Sequence, residues 1–170
     1  MSASRPIFLV GFMGCGKSAV GRILAADAGW DFFDTDALVE AREGQSIQQI
    51  FEERGEKQFR LIEWEVLRAT AGSRRIVATG GGSFAAEAPR RFMLDEGATI
   101  WLDAPLAVIR ERLRDGSGRP LWVEDDDDAL RALFENRRVG YAQAAYRVDA
   151  SGTADEVAQA VKTLFPSVFR

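Results

Sequence analysis

The sequence contains no histidine and only one cysteine among its 170 residues. Because structural zinc sites are built mainly from Cys and His, this shortage excludes an ordinary zinc site. A single cysteine also excludes an internal disulfide and is typical of a reducing compartment. No apolar run approaches the roughly 20 residues that a membrane-spanning helix requires. Residues 1–6 are polar and lack the pattern of a signal peptide, so we expect a cytoplasmic protein.

The chain also lacks an excess of positive charge. It contains 22 Lys and Arg and 26 Asp and Glu, for a net charge of −4. Such a chain has no overall basic field that would attract nucleic acid or an anionic membrane. We therefore expect neither as a partner, and an anionic substrate would need local arginines. The length of 170 residues, 46% of them hydrophobic, predicts one domain over 1–170 with one substantial core.

Short apolar runs alternate with longer segments of helical periodicity. The runs predict strands at 7–10, 31–34, 75–78, 99–102 and 147–149. The segments between and after them predict helices at 18–28, 36–42, 46–54, 56–71, 89–96, 105–114, 129–141 and 156–164. This alternation predicts an α/β fold of three layers (αβα), with a parallel sheet covered by helices on both faces. In such sheets ligands bind at the carboxyl ends of the strands.

Residues 11–18, with the sequence GFMGCGKS, match the phosphate-loop pattern G-x-x-x-x-G-K-[ST]. Its glycines let backbone N–H groups surround a phosphate, while the lysine reaches the β- and γ-phosphates. The motif stands between a predicted strand and a predicted helix, whose positive end would face the phosphates. It predicts ATP binding by Gly14, Cys15, Gly16, Lys17, Ser18 and Ala19. The alternative is a glycine-rich turn that binds nothing.

Cys15 stands between two glycines of this loop, close to a helix start and to Lys17. Both neighbours favour a thiolate, and an accessible thiolate would be reactive. The alternative is a small side chain that fills the loop. The sequence alone leaves both readings open.

Asp34 and Asp36 stand at the end of the second predicted strand. Side chains two residues apart point the same way while a strand stays extended. One carboxylate could hold Mg²⁺ through water, and the other could accept a proton from a substrate hydroxyl. The alternative is the N-cap of the following helix, because Asp and Thr both serve there.

Three further patterns each have a functional and a structural interpretation. A run of three glycines, 80–82, permits close approach of an anion or a hydroxyl, or forms a flexible turn. Arg60, Arg137 and Arg138 could each supply the planar fork that binds a carboxylate, or lie in solvent. Arg119 lies in a Gly-rich segment that could close over ATP, or be an ordinary surface loop.

In this order along the chain, the motifs resemble those of the shikimate kinase family, in the nucleoside-monophosphate-kinase branch of P-loop folds. The resemblance runs from about residue 7 to 164 and includes GFMGCGKS, Asp34-Thr35-Asp36, Phe59-Arg60, Gly80-Gly81-Gly82, Arg119-Pro120-Leu121 and Arg137 with Tyr141. It implies a five-stranded sheet of order 2-3-1-4-5, substrate-binding helices at about 36–63 and a mobile lid at about 115–126. It also implies ATP- and Mg²⁺-dependent phosphorylation of the shikimate 3-hydroxyl, a step toward chorismate and the aromatic amino acids.

On the nucleotide side, the resemblance implies that Lys17 and Arg119 act on the phosphates during transfer. Ser18 would bind the magnesium ion, with Asp34 in its outer shell. Arg112 would lie against the adenine, together with the loop after Asp149. We expect the enzyme to act as a monomer.

On the acceptor side, the resemblance implies that Asp36 is the catalytic base and that Arg60 and Arg137 clamp the shikimate carboxylate. Because Arg138 is adjacent to Arg137, the second clamp residue could be either of the two. The whole implied substrate set is Asp36, Phe51, Phe59, Arg60, Glu63, Gly80, Gly81, Gly82, Pro120, Leu121 and Arg137. The rival interpretations are a related kinase for gluconate or a nucleotide, and an ATP-dependent regulatory module without an acceptor.

Overall fold

The apolar run IFLV forms a fully buried strand at the centre of the molecule. A computed structural model describes residues 4–114 and 127–169. Its strands are β1 Ile7–Val10, β2 Asp31–Asp34, β3 Arg75–Ala78, β4 Ala98–Asp103 and β5 Tyr146–Asp149. Its helices are α1 Lys17–Ala28, α2 Thr35–Glu43, α3 Ile47–Ala69, α4 Glu87–Glu96, α5 Leu106–Arg114, α6 Asp127–Tyr141 and α7 Ala154–Leu164. In these two ranges, none of the helices combines the length and apolar character needed to cross a membrane.

The five strands form one sheet in the order β2-β3-β1-β4-β5, and every neighbouring pair is parallel. This confirms the predicted order 2-3-1-4-5. Phe8 on the central strand is in register with Val77 of β3 and with Thr99 of β4. Because all strands run in one direction, their carboxyl ends meet at a single edge, where the predicted site residues were expected.

The two faces of the sheet are covered by different helices. Phe8 packs toward Phe92 of α4, with ring centroids 6.5 Å apart. Its neighbour Leu9 lies against α1, since a Cβ built on Gly21 would be only 3.3 Å from a Leu9 methyl carbon. Successive residues of a strand point to opposite faces, so α1 and α4 lie on opposite sides. This arrangement confirms the three-layer fold.

Helix boundaries follow glycines and capping side chains. Gly44 ends α2 in a left-handed conformation with φ of 65°, and Gly55 interrupts α3 with φ of 79° and ψ of 168°. Both glycines stand where the sequence predicted a break. The last helix begins two residues earlier than predicted, because Thr153 and Glu156 form a reciprocal capping box that places the helix start at Ala154.

Helices α2 and α3 have a small hydrophobic core of their own. Its buried members are Val39, Ile50, Phe59, Ile62 and Val66. Full burial of each such side chain stabilises the fold by about 1.5–3 kcal/mol. This core fixes α2 against α3 beside the sheet, and so positions the residues that the sequence assigned to the acceptor.

Candidate active site

The phosphate loop connects the carboxyl end of β1 to the start of α1. Gly14 and Gly16 adopt φ values of 75° and 98°, in the left-handed region that favours glycine. The Lys17 ammonium folds back across the loop and donates to the carbonyl oxygens of Gly11 at 2.8 Å and Phe12 at 2.9 Å. The loop therefore brings a cation and the amino end of a helix to one point, which is the arrangement that an anion requires.

Ser18 and Asp34 meet between the phosphate loop and the end of β2. The Ser18 hydroxyl donates a hydrogen bond to Oδ2 of Asp34. Oδ1 of the same carboxylate accepts from the backbone N–H groups of Asp36 at 3.1 Å and Ala37 at 3.2 Å, and so caps α2. Asp34 is therefore the N-cap of α2, and its part in holding magnesium stays a prediction. A hydroxyl beside a carboxylate fits Mg²⁺, which is bound by oxygen ligands, often with phosphates.

Cys15 lies inside the loop with only 1% of its surface exposed. Its Sγ is 3.7 Å from the Lys17 ammonium, and a Cβ on Gly11 would approach it to 2.9 Å. The structure favours the interpretation in which this side chain fills the loop.

Arg112 connects the phosphate loop to the loop that follows β5. One terminal nitrogen donates to the carbonyl oxygens of Ala150 at 3.0 Å and Gly152 at 2.8 Å, and the other to that of Gly14 at 3.4 Å. Arg112 therefore lies beside the loop after Asp149, with which the resemblance grouped it, and its contact with adenine stays a prediction. Ala19, which also belongs to the predicted ATP set, lies in the first turn of α1.

A cavity of about 400 Å³ opens beside the phosphate loop. Met13 of the loop forms part of its wall. The wall also contains every predicted substrate residue that the structure describes, namely Asp36, Phe51, Phe59, Arg60, Glu63, Gly80, Gly81, Gly82 and Arg137. The predicted Arg119, Pro120 and Leu121, with the lid at 115–126, lie outside the described residues.

Arg60 enters the cavity from α3 as the partly exposed member of an ion pair with the buried Glu63. Its Nη1 is 2.8 Å from Oε2 of Glu63, whose other oxygen accepts a 2.7 Å hydrogen bond from the Ser83 hydroxyl. Burial alone would lower the pKa of Arg60, but the carboxylates of Glu63 and Glu56 outweigh it and raise that pKa. Arg60 is therefore a permanent cation at the cavity wall.

The glycine turn, residues 80–82, packs closely against the side chains of Glu63 and Arg60. A Cβ on Gly80 would lie 2.3 Å from Oε1 of Glu63, and a Cβ on Gly82 would lie 2.5 Å from Nη2 of Arg60. Real Cβ atoms do not tolerate such contacts, so a side chain at position 80 or 82 would displace the ends of Glu63 or Arg60 from this place. The Gly80 N–H also donates to the Thr35 hydroxyl at 3.0 Å, which ties the turn to the start of α2.

The two adjacent arginines of α6 have different surroundings. Arg137 is only 7% exposed, lines the cavity and lies 5.7 Å from the centre of the Phe12 ring. Arg138 instead binds the Asp103 carboxylate at 2.8 Å and stacks over Trp101. Of the pair, only Arg137 is available to a ligand in the cavity.

Tyr141 lies one turn after Arg137 on α6, and its hydroxyl donates to the carbonyl oxygen of Gly81. Burial raises the pKa of this phenol, which Arg137 only partly offsets. The hydroxyl therefore stays protonated and holds the glycine turn.

Several residues of the cavity wall were not predicted from the sequence: Met13, Ala37, Glu40, Ser46, Ile47 and Gln48. Helical spacing could have found some of them. Glu40 follows Asp36 by four positions on α2, and Gln48 precedes Phe51 by three on α3, so each pair shares a helix face.

Comparisons with known proteins agree with this geometry. The family profile described as Shikimate kinase matches residues 13–165. A shikimate kinase from Persephonella marina is 42% identical over 149 residues, covering 87% of this chain and 90% of its own. One from Geobacter sulfurreducens is 43% identical over 157 residues, covering 91% of this chain and 87% of its own.

A solved structure of shikimate kinase from Acinetobacter baumannii, in complex with shikimate, superposes with a TM-score of 0.89. The two chains are 36% identical, and the match covers 96% of this chain and 93% of the other. Sequence, fold and profile thus lead to the same family. The chain belongs to the shikimate kinase family.

Proposed function

We propose that this protein transfers the γ-phosphoryl group of ATP to the 3-hydroxyl of shikimate, with Mg²⁺, in the route to chorismate and the aromatic amino acids. One observation carries the proposal: the phosphate loop and an arginine-lined cavity share a wall. A Cβ on Gly81 would lie 3.2 Å from Arg137 Nη1 and 3.4 Å from the backbone nitrogen of Met13. A bound acid would therefore sit directly beside the phosphates.

Arg60 and Arg137 bind the carboxylate of the acceptor in this proposal. Guanidinium groups suit a carboxylate because their N–H groups match its two oxygens. Binding at the carboxylate, away from the reacting hydroxyl, orients the ring for transfer. Phe51 and Phe59, whose ring centroids are 4.7 Å apart, supply an apolar wall for the carbocyclic ring.

Asp36 acts as the base. It lines the cavity one residue after Thr35, whose hydroxyl is anchored to the glycine turn. As the substrate oxygen forms its bond to the γ-phosphorus, the bond from that phosphorus to the bridging oxygen of ADP breaks. The hydroxyl proton passes to the Asp36 carboxylate.

On the nucleotide side, Lys17 exchanges its loop carbonyl partners for phosphate oxygens and stabilises the charge that develops during transfer. Ser18 would bind the magnesium ion, with Asp34 in its outer shell. That ion, when bound, neutralises the phosphate oxygens. Arg112 supports the adenine. Arg119 and closure of the segment 115–126 remain predictions of the sequence.

The cavity distinguishes this acceptor from the rival ones. Among its described lining residues, only Arg60 and Arg137 are cationic, against Asp34, Asp36 and Glu63 together with Glu40. A nucleotide acceptor brings its own phosphate and would need more cations. A regulatory module would need no convergence of a base with two arginines on one cavity.

The test is an acceptor screen with purified protein, ATP and Mg²⁺, read as ADP release and as phosphorylated product. Shikimate should be phosphorylated, while gluconate, nucleoside monophosphates and water should give slow background rates. Faster transfer to gluconate or a nucleotide would contradict the proposal, as would ADP release that is independent of any acceptor. Withholding Mg²⁺ should abolish the product. We further propose that the enzyme is cytoplasmic and that it is a monomer. Size-exclusion chromatography with light scattering would check the monomeric state.

A further inference from the structure

Glu63 is a buried carboxylate whose two oxygens have different partners. It is 4% exposed, and one oxygen binds the guanidinium of Arg60 at 2.8 Å. The other accepts a hydrogen bond from the hydroxyl of Ser83 at 2.7 Å. Ser83 itself is buried, and its backbone N–H is bonded to the Gly80 carbonyl oxygen at 3.1 Å. The hydroxyl is therefore held by the same turn that forms the cavity floor.

The division between the two oxygens limits how Arg60 can be placed. A carboxylate bonded through one oxygen alone can rotate about its last torsion, which is broad for glutamate. With Ser83 bonded to Oε1, the opposite oxygen faces Arg60. The guanidinium is then pressed so closely on the turn that a Cβ on Gly82 would lie 2.5 Å from it. The bonds of Arg60 to Glu63 and Glu56 use only some of its N–H groups, so others can bind a carboxylate in the cavity.

We infer that Ser83 is a positioning residue for carboxylate recognition, acting through Glu63 on Arg60. This inference rests on the proposed function, since it needs the acceptor carboxylate to bind at Arg60. Ser83 touches neither the acceptor nor the nucleotide in this arrangement. Its hydroxyl keeps Glu63 in the one orientation that leaves the Arg60 fork facing the cavity.

The experiment compares shikimate with its neutral carboxamide in wild type and in Ser83→Ala. Loss of one hydrogen bond within a buried network should lower kcat/KM for shikimate about fivefold to tenfold, mainly through KM. The amide has no carboxylate for Arg60 to read, so its kcat/KM should change less than about twofold. The KM for ATP should stay the same. The acid-to-amide ratio is therefore the quantity to follow.

Thr79→Val is the matched control. Thr79 lies four residues before Ser83 in the chain and is also buried. Its hydroxyl donates to the Leu9 carbonyl oxygen at 3.0 Å. This variant removes a buried hydroxyl of the same segment but leaves Glu63 untouched. It should lower thermal stability about as much as Ser83→Ala does and leave the acid-to-amide ratio unchanged.

A double-mutant cycle with Arg60→Lys separates positioning from a general structural effect. If Ser83 acts through the planar fork of Arg60, then adding Ser83→Ala to Arg60→Lys should change the ratio less than about twofold. Should Ser83→Ala not fold, Ser83→Cys fills the space with a weaker donor and should show the same selective loss. A Cys variant with the full wild-type ratio would overturn the inference.

The outcomes also separate the two proposals. Equal losses on acid and amide, or effects of Ser83→Ala and Arg60→Lys that simply add, would refute the role of Ser83 while the enzyme remains a shikimate kinase. A wild-type protein that phosphorylates no shikimate would refute the proposed function and this inference together.

Discussion

Asp103 at the end of β4 accepts a hydrogen bond from Arg138 of α6, with 2.8 Å between Oδ1 and Nη1. The other oxygen of Asp103 binds Arg147 of β5, and both guanidinium groups lie about 5 Å from the centre of the Trp101 ring. Neighbouring residues of a helix project about 100° apart. With Arg138 held against the sheet, Arg137 is turned into the cavity.

The first prediction follows from this division of roles. Arg137→Lys keeps the charge but loses the planar fork, so KM for shikimate should rise about tenfold with little change for ATP. Arg138→Lys is the matched control on the next position, and should mainly lower the melting temperature by a few degrees. Steady-state kinetics and thermal melting check both. If only Arg138→Lys altered shikimate recognition, the assignment of the clamp would be wrong by one residue.

Asp36→Asn should lower kcat by about a hundredfold or more, because the amide cannot accept the hydroxyl proton. Binding of ATP should be nearly unchanged, since Asp36 faces the acceptor cavity. Asp34→Asn should instead raise the Mg²⁺ concentration needed for half-maximal rate. Titrations of rate against Mg²⁺ and of nucleotide binding distinguish the two. Abolished turnover in the Asp34 variant beside normal turnover in the Asp36 variant would mean that the roles are reversed.

Lys17→Ala should reduce kcat about a thousandfold, since a charge that stabilises the transferring phosphoryl group is lost. The fold should persist, because the partners of the lysine are atoms of its own loop: the carbonyl oxygens of Gly11 and Phe12 and the Sγ of Cys15. Lys162→Ala, which removes an ion pair with Asp27 between α1 and α7, is a control remote from the cavity. Near-normal turnover of a folded Lys17 variant would refute the phosphate-loop assignment.

Gly82→Ala should weaken shikimate binding by more than Gly81→Ala does. The new Cβ at 82 would lie 2.5 Å from Arg60 Nη2, whereas the nearest atom at 81 is Arg137 Nη1 at 3.2 Å. The first variant must displace Arg60, while the second needs only a small adjustment. Isothermal titration with shikimate measures the difference. Equal affinities of the two variants for shikimate would show that shikimate binding does not require Arg60 to lie against the glycine turn.

Cys15 should resist alkylation in the folded enzyme, because it is 1% exposed within the phosphate loop. The same reagent should modify the denatured chain to one equivalent. Intact-mass spectrometry over time measures both. Rapid stoichiometric modification of the native protein, with protection by ATP, would instead show a reactive and accessible thiol.

Much of the site was predictable because it consists of short motifs at strand ends. Once the sheet order is known, Lys17 and Asp36 must come to the same edge, since parallel strands end together. From the sequence, the three glycines either permitted close approach of an anion or a hydroxyl or formed a flexible turn. The structure adds a further reason for them, because Gly80 and Gly82 make room for the side chains of Glu63 and Arg60. Such crowding depends on α3, which the local sequence of the turn does not describe.

The roles of Ser83 and Tyr141, which support the site, could not be predicted from the sequence for a similar reason. Ser83 follows the glycine turn as an ordinary small polar residue, and its link to Glu63 spans twenty positions of the chain. Tyr141 was part of the resemblance, but the resemblance implied no role for it. Its hydrogen bond to Gly81 joins residues sixty positions apart. Only the packing of α3 and α6 on the turn creates these contacts.

By itself, the sequence determined the order of strands and helices and the residue types of the phosphate loop, whereas the sheet order 2-3-1-4-5 was implied by the family resemblance. The element order and the loop depend on short-range preferences, such as the left-handed glycines 14 and 16 and the continuous apolar run of β1. Tertiary structure alone decided that Arg137 faces the cavity and Arg138 does not. Arg138 is instead bound to Asp103, thirty-five residues away, and helical periodicity carries no information about that contact.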